Sequence, residues 1–291
     1  MGGMAAAAEP ERGDHPSAGP PPDERGLFGP HSVSWRVHRE TTVLFGGARA
    51  LLMHAAHPLV IAGARETGFY ERNPWKRLER TLVLMYALTF GTRSEAGRAA
   101  DHINRVHRFV RGIDEITGRP YDAMDPDLLL WVHACLVDSA LLFERLTVGR
   151  LKQGERERFH REQMAAAELL GLARERIPPT TASLRAYIRE VVEGDTLRVT
   201  EASRRVVSLF RAPPREAEWR PVLRAVSWWA FGSLPSRLRS MYGVRWGRAR
   251  HAAMLASLAA LRRARPGIPR RFRWILPAQL AERRAREGST E

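Results

Sequence analysis

Two stretches of the chain combine residue types that could hold a cofactor. Arg77, Arg80 and Thr81 recur at helical spacing on an otherwise apolar segment, so two guanidinium groups and a hydroxyl fall about one turn apart. A buried arginine needs an anion, such as a propionate, a carboxylate or a bound oxygen species. The alternative is that both arginines are solvated and that Thr81 only packs against its neighbours.

His107 lies between apolar residues on the next predicted helix, and we expect these two helices to face each other across a cofactor. An axial haem ligand is a neutral imidazole in a water-poor pocket, which this position would supply. If the helix continues, His107 shares a face with Val110 and Asp114. Arg111 then falls one turn beyond His107, where it could bind a propionate bidentately. The alternative for His107 is a core histidine bonded to a carbonyl group.

Other arrangements of polar residues are weaker. His54 and His57 form a His-x-x-His pair, but Pro58 disfavours helical geometry at His57, and no nearby carboxylate completes a metal site. Glu157 and His160 supply one Glu-x-x-His, whereas a di-iron bundle needs two of these motifs and two more glutamates. The sequence also lacks a Gly-x-Gly-x-x-Gly fingerprint, a P-loop and a serine-hydrolase elbow.

The periodicity of apolar residues predicts an all-α fold, with no strand alternation and no repeat. Residues 128–143 are apolar nearly all round, which predicts a central buried helix that is too short for a membrane span. Two predicted helices have capping residues: one runs from a cap at Asn73 to Gly91, and the next runs onward from a cap at Ser94. Another starts near Ser183. The remaining predicted helices cover residues 35–45, 48–56, 155–170, 215–231 and 245–265.

Composition limits the classes of partner. The net charge is +15, from 47 basic and 32 acidic residues, but Lys76 and Lys152 are the only lysines. Basic residues that are nearly all arginine, together with abundant Ala, Gly and Pro, are typical of a protein from a high-GC genome. The positive charge is therefore weak evidence that the protein binds nucleic acid. Cys135 is the only cysteine, which rules out an internal disulfide. Residues 1–27 have no apolar signal core, so we expect a disordered leader and a cytoplasmic protein.

We predict a single all-α domain over residues 28–265 and a basic tail over 266–291. The tail mixes arginines with Phe272, Trp274 and Ile275. Such a segment could lie on an anionic membrane surface, or it could be a solvated tail. Specific recognition of nucleic acid is not expected, because no recognition helix stands out.

The chain resembles the family of MpaB-type and latex-clearing-protein-type oxygenases, from about residue 28 to residue 245. The motifs that carry the resemblance, in chain order, are Gly29-Pro30, Trp35 with Arg39-Glu40, Gly46-Gly47-Ala48-Arg49-Ala50-Leu51-Leu52, Ala56-His57-Pro58, Arg77-Leu78-Glu79-Arg80-Thr81, Phe90-Gly91, His107 with Val110-Arg111-Gly112, Tyr121-Asp122-Ala123, Asp125-Pro126 and Trp131-Val132-His133.

The resemblance implies a globin-like bundle around a buried haem b pocket. The family's proximal histidine falls on His107, and its distal Arg-x-x-Lys-Thr falls on Arg77, Arg80 and Thr81. Rubber-cleaving members carry lysine where this chain has Arg80, and a guanidinium stays protonated and is a poor iron ligand.

The implied activity is O₂-dependent oxidation or C=C cleavage of an apolar substrate, such as an isoprenoid or a lipid. In this scheme His107 binds the iron, Arg77 and Arg111 bind the cofactor, and Arg80 and Thr81 are catalytic. The alternative is a non-catalytic all-α protein that binds haem, or a basic protein associated with membrane or nucleic acid.

Overall fold

The structure is a computed structural model that describes residues 26–66, 74–212 and 220–287. Residues 1–25 of the predicted leader and residues 213–219 of a predicted helix lie outside this described part. The described chain is mostly helical, which confirms the predicted all-α class. Its helices are α1 (Val33–His38), α2 (Thr41–Leu44), α3 (Gly46–Ala55), α4 (Pro58–Glu66), α5 (Pro74–Phe90), α6 (Arg93–His107), α7 (Pro126–Thr147), α8 (Gln153–Leu169), α9 (Thr181–Glu193), α10 (Glu201–Arg211), α11 (Arg220–Ser233), α12 (Ser236–Met241), α13 (Arg248–Ala264), α14 (Arg270–Arg273) and α15 (Leu276–Glu287).

Helix α7 is the central element of the bundle. Asp125 caps its N-terminus by accepting a hydrogen bond from the Asp127 backbone N–H, and Pro126 occupies its first turn, as the sequence predicts. Its buried side chains, including Trp131 and Leu141, join those of α3, α9 and α11 in the largest apolar core. By length and composition α7 could span a membrane, but most of it is buried inside the protein.

The single helix predicted over residues 35–45 is wrong, because the chain forms α1 and α2 with a break at Glu40. Ser32 caps α1 by accepting a hydrogen bond from the Trp35 backbone N–H. At the break the backbone of Glu40 forms a bridge with Trp274, and Arg39 accepts a hydrogen bond from the Ile275 N–H. The helix is interrupted here because the Arg39 carbonyl oxygen accepts from Ile275, in a distant segment, and not from Val43 one turn further on.

Two further helix starts differ from the sequence prediction. Helix α3 begins at Gly46, where an added Cβ would lie 2.8 Å from the carbonyl oxygen of Ser139, so Gly46 permits close packing on α7. Thr92, not Ser94, caps α6, through a reciprocal capping box with Glu95.

The prediction that no strand is present is also wrong, because β1 (Arg111–Ile113) and β2 (Pro120–Asp122) form a small antiparallel hairpin. Helix α6 ends at His107, so Val110, Arg111 and Asp114 do not continue its face. Gly112 lies in the middle of β1 and permits the close approach of its partner Tyr121, because an added Cβ would lie 2.7 Å from the Tyr121 hydroxyl. Asp114 closes the hairpin loop by accepting hydrogen bonds from the backbone and hydroxyl of Thr117.

The described part of the predicted tail is helical and packed. Helix α15 contacts α5, and Ile275, Ala278 and Ala281 are buried with Trp35 and Phe90. The predicted domain boundary at residue 265 stays a prediction, but residues up to 287 contribute to a shared apolar cluster.

Candidate functional site

Helices α5 and α6 form an antiparallel pair joined by Gly91 and Thr92. Positions equidistant from the connection lie at the same height in such a pair. His107, at the end of α6, is therefore level with the first turn of α5. A helix rises about 1.5 Å per residue. Measured along α5 from the level of His107 towards the connection, Arg80 is therefore about 6 Å away and Thr81 about 7.5 Å away. The fold thus brings the two stretches singled out by sequence to one end of one helix pair.

The seam between α5 and α6 is filled with side chains. Leu88 of α5 packs against Ala96, Ala99 and Ala100 of α6, and all four are buried. The small alanine side chains let the helices approach closely. This packing lies towards the connection of the two helices, and the expectation that they face each other across a cofactor at His107 stays a prediction.

The imidazole of His107 has the properties of a ligand. Its Nδ1 atom is buried and has no hydrogen-bond partner, which is unusual for a buried polar atom. Burial lowers its pKa below the ordinary value, so the ring is neutral at pH 7 and a nitrogen lone pair is available. The alternative reading from sequence, a core histidine bonded to a carbonyl, does not describe this nitrogen.

Large apolar side chains are exposed on both sides of His107. Val106 is 42% exposed and Phe109 is 77% exposed, and on the hairpin Ile113 is 69% exposed. Val83 on α5 is 61% exposed. Exposed large apolar side chains next to His107 in sequence are consistent with a surface that another molecule covers.

The other predicted site residues lie near this surface to different degrees. Arg80 and Thr81 are exposed on α5, and each has an interaction within the chain. Arg77 lies on the first turn of α5, and its side chain is outside the described residues. Arg111 lies on β1, not one helical turn beyond His107, and it is exposed opposite Asp122 of β2. The roles predicted for these four residues stay predictions.

Several histidines outside this region are buried. His54 donates a hydrogen bond from Nε2 to the Val132 carbonyl oxygen at 3.1 Å. In contrast, His57 Nδ1 and His133 Nε2 are buried and have no hydrogen-bond partner. Burial holds the pKa of each of these three rings at about 4. In the part of the chain that the structure describes, no group of three or more His, Cys, Asp or Glu side chains could hold a metal ion. His54 and His57 thus have no third ligand among these residues.

Some motif residues prove to hold the fold together. Arg49 is buried and its guanidinium binds Asp138 at 2.9 Å, the Ser139 hydroxyl at 2.7 Å and the Ser233 carbonyl at 3.1 Å. The sequence did not predict this cluster. Its only signal there was a basic residue, Arg49, between apolar neighbours, because the distance to Asp138 on another helix is set by packing. Arg49 thereby joins α3 to α7 and α11.

The donor chemistry at His107 fits haem, because a neutral imidazole with a buried, unpartnered nitrogen stands among apolar side chains. Iron would be held by His107 through a ring nitrogen. Val106 and Phe109, which flank His107 in sequence, are exposed apolar side chains that an apolar macrocycle would cover.

The described chain is thus a mainly α-helical protein built around one central buried helix, and His107, whose Nδ1 has no hydrogen-bond partner, lies at the end of a helix hairpin. It belongs to the family described as "ER-bound oxygenase mpaB/B'/Rubber oxygenase, catalytic domain", which matches residues 35–264. This family is an oxygenase catalytic domain, and the match confirms the resemblance inferred from the motifs.

Two mycobacterial proteins are similar to the chain over most of its length. The uncharacterized protein Rv2237 of Mycobacterium tuberculosis and the uncharacterized protein Mb2261 of Mycobacterium bovis are each 27% identical to it over 244 residues. The alignment covers 80% of this chain and 92% of each relative. No solved structure matches the chain.

Proposed function

We propose that this protein is a haem b-dependent oxygenase that acts on an apolar, unsaturated isoprenoid or lipid-like substrate, with His107 as the iron ligand. The observation that carries the proposal is the buried and unpartnered Nδ1 atom of a neutral His107, in a chain that belongs to an oxygenase family. The exposed apolar side chains of Val106 and Phe109 support an apolar occupant beside it.

The chain's own residues would divide the remaining work. Arg77 and Arg111 would pair with the two propionates, because a guanidinium fork matches a carboxylate in bidentate geometry. Arg80 and Thr81 would contribute a fixed positive charge and a hydrogen-bond donor where O₂ reacts. A guanidinium such as that of Arg80 is a poor ligand for iron, so it would not compete for the metal as a lysine could.

Haem, when bound, supplies O₂ activation, and the protein supplies binding and electrostatics. Cleavage of one C=C bond by one O₂ places an oxygen atom on each of the two carbons. The four electrons that reduce O₂ come from the alkene, so this reaction needs no external reductant. The apolar side chains around His107 would exclude water from the reacting carbons.

The absorption spectrum of protein expressed with adequate haem tests this proposal directly. We expect a Soret band that is lost in His107→Ala and kept in His133→Ala, because His133 is a buried histidine in another part of the bundle. A haem-free wild-type protein, or full haem retention in His107→Ala, would contradict the proposal.

O₂ consumption separates the oxygenase from a haem carrier. We expect unsaturated isoprenoids or lipids to accelerate O₂ uptake, whereas their saturated analogues should not. A haem-loaded protein that consumes no O₂ with any such substrate would favour a non-catalytic binding role.

Peripheral contact of the basic C-terminal segment with anionic membrane, by a cytoplasmic protein, belongs to the same proposal. Phe272 and Leu276 are exposed there beside Arg270 and Arg271, although each arginine also lies over a ring, that of Trp274 or of Phe272. We expect Phe272→Ser/Leu276→Ser to lower sedimentation with phosphatidylglycerol vesicles, and an unchanged value would contradict this contact.

A further inference from the structure

An open groove of about 520 Å³ lies where α10, α11 and the loop before α13 meet. Trp228, Phe231, Val244 and Trp246 form its apolar wall, and the ring centroids of the two tryptophans are 6.2 Å apart. A second cavity of about 200 Å³ adjoins it, and Arg211 lines both. The volume of the groove lies in the range of roughly 300–1,000 Å³ that small-molecule sites occupy.

The groove and its neighbour are strongly basic. Arg211, Arg245 and Arg250 line the groove, and Arg204 lines the adjoining cavity. None of the described lining residues of either cavity is acidic. Arg204 and Arg245 form neither an ion pair nor a side-chain hydrogen bond with a described residue. Like charges gathered along apolar walls favour an anion, and the guanidinium fork is matched to carboxylate and phosphate oxygens.

Two of these arginines are held in place before any ligand binds. Arg211 donates a hydrogen bond from Nη2 to the Tyr242 carbonyl oxygen at 2.7 Å. Arg250 donates from Nη1 to the Arg245 carbonyl oxygen at 2.8 Å, and its guanidinium carbon lies 5.5 Å from the ring centroid of Trp246. Groups that are already ordered lose less conformational entropy on binding, so this arrangement favours affinity.

The indole of Trp246 is fixed as well, and one of its groups lacks a partner. Its ring packs directly on the backbone at Gly232, where an added Cβ would lie 2.3 Å from a ring carbon. Its Nε1–H is buried and has no acceptor. Buried donors are nearly always satisfied, so an acceptor on a bound molecule would relieve the cost of this unpartnered N–H.

We propose that this groove binds an amphipathic anion, with a carboxylate or phosphate head on the arginines and an unbranched apolar tail against Trp228 and Trp246. The proposal does not depend on the proposed oxygenase function, because His107, Arg80, Thr81 and Arg111 do not line the groove. It assigns a second ligand site to the side of the bundle formed by α10 to α13.

Calorimetric titration of the full chain with four probes tests the proposal: decanoate, decyl phosphate, 1-decanol and acetate. We expect decanoate or decyl phosphate to bind at least about tenfold more tightly than 1-decanol or acetate, because charge-assisted hydrogen bonds and tail burial both contribute. The stronger of the two anions identifies the head group. Equal binding of 1-decanol would overturn the proposal, since the arginines would then contribute nothing.

Matched variants locate the site. Arg245→Gln/Arg250→Gln should weaken binding of the preferred anion by at least about tenfold, whereas Arg205→Gln/Arg248→Gln, which removes the same charge from exposed positions outside the groove, should change it less than about twofold. The charge-retaining pair Arg245→Lys/Arg250→Lys should recover part of the loss.

Trp246→Phe keeps an aromatic wall and removes the unpartnered N–H, so it should weaken the anion more than 1-decanol. Circular dichroism confirms that each variant is folded. If folded Arg245→Gln/Arg250→Gln binds the anion as tightly as wild type does, the ligand binds elsewhere and the proposal is wrong.

Discussion

The guanidinium of Arg265 binds the carboxylate of Glu40 through two hydrogen bonds, from Nη2 to Oε1 at 2.5 Å and from Nε to Oε2 at 3.0 Å. Both side chains are almost fully buried, and the indole N–H of Trp274 donates to the same carboxylate at 3.3 Å. Glu40 is one of the motif residues that suggested the family. Its contact with the end of α13 and the segment before α15 shows a structural role for it.

Removing either partner of this buried pair should be costly. We expect Arg265→Met alone to lower the free energy of unfolding by about 3–5 kcal/mol, because Glu40 would remain buried without its main counter-charge. The double variant Glu40→Met/Arg265→Met should lose less than the sum of the two single changes. Urea unfolding of the three variants measures this coupling, and simple additivity would show that the pair is not coupled.

The contact of α3 with α7 gives a second prediction at two adjacent glycines. Gly46→Ala should destabilise the protein by about 1–3 kcal/mol, because its Cβ would meet the Ser139 carbonyl oxygen at 2.8 Å. Gly47→Ala meets nothing within 4 Å and should stabilise α3 by about 0.5–1 kcal/mol. Thermal unfolding of both variants checks the opposite signs. Equal effects would mean that the close packing of the two helices does not limit this position.

Buried histidines should make stability depend on pH. Burial holds the pKa values of His38, His54, His57 and His133 at about 4, below the ordinary value of 6.5. As the pH falls below 6.5, the unfolded chain binds protons that the folded chain does not. The free energy of unfolding is therefore fully retained above pH 6.5 and falls towards pH 4, by roughly 1.4 kcal/mol per pH unit for each such proton.

Urea unfolding at a series of pH values between 7.5 and 5 measures this loss. His133→Gln should reduce the slope by up to one proton, because its ring no longer titrates in the unfolded chain. An unchanged slope in that variant would exclude His133 as a contributor. The upper part of this window avoids most of the titration of the carboxylates.

Truncation tests whether the C-terminal segment belongs to the folded unit. Removing residues 270–291 would eliminate Ile275 and uncover Trp35 and Phe90, with a loss of about 1.5–3 kcal/mol for Ile275 alone. We expect a lower unfolding midpoint and increased binding of a hydrophobic dye. Removing residues 288–291 is the control and should leave both unchanged. A full-stability protein ending at residue 269 would show that the predicted boundary at 265 is correct.

Local signals in the sequence predicted much of the fold. Asp125 followed by Pro126 fixes the start of α7, and the apolar run after them predicts its central position, because both depend on neighbouring residues alone. The motifs likewise identified the family and pointed to His107. The break at Glu40 could not be found in this way, since its partner Arg265 lies 225 residues away in sequence.

The sequence by itself determined the helical class, the central helix, the family and the residue types available for chemistry. Tertiary structure decided what those residues contact. Helix α6 ends at His107, and the antiparallel pairing with residues 120–122 places Arg111 on a strand. Tertiary structure also brought arginines and tryptophans from separate elements around one groove. Such contacts depend on packing between distant segments, which residue spacing within one helix does not encode.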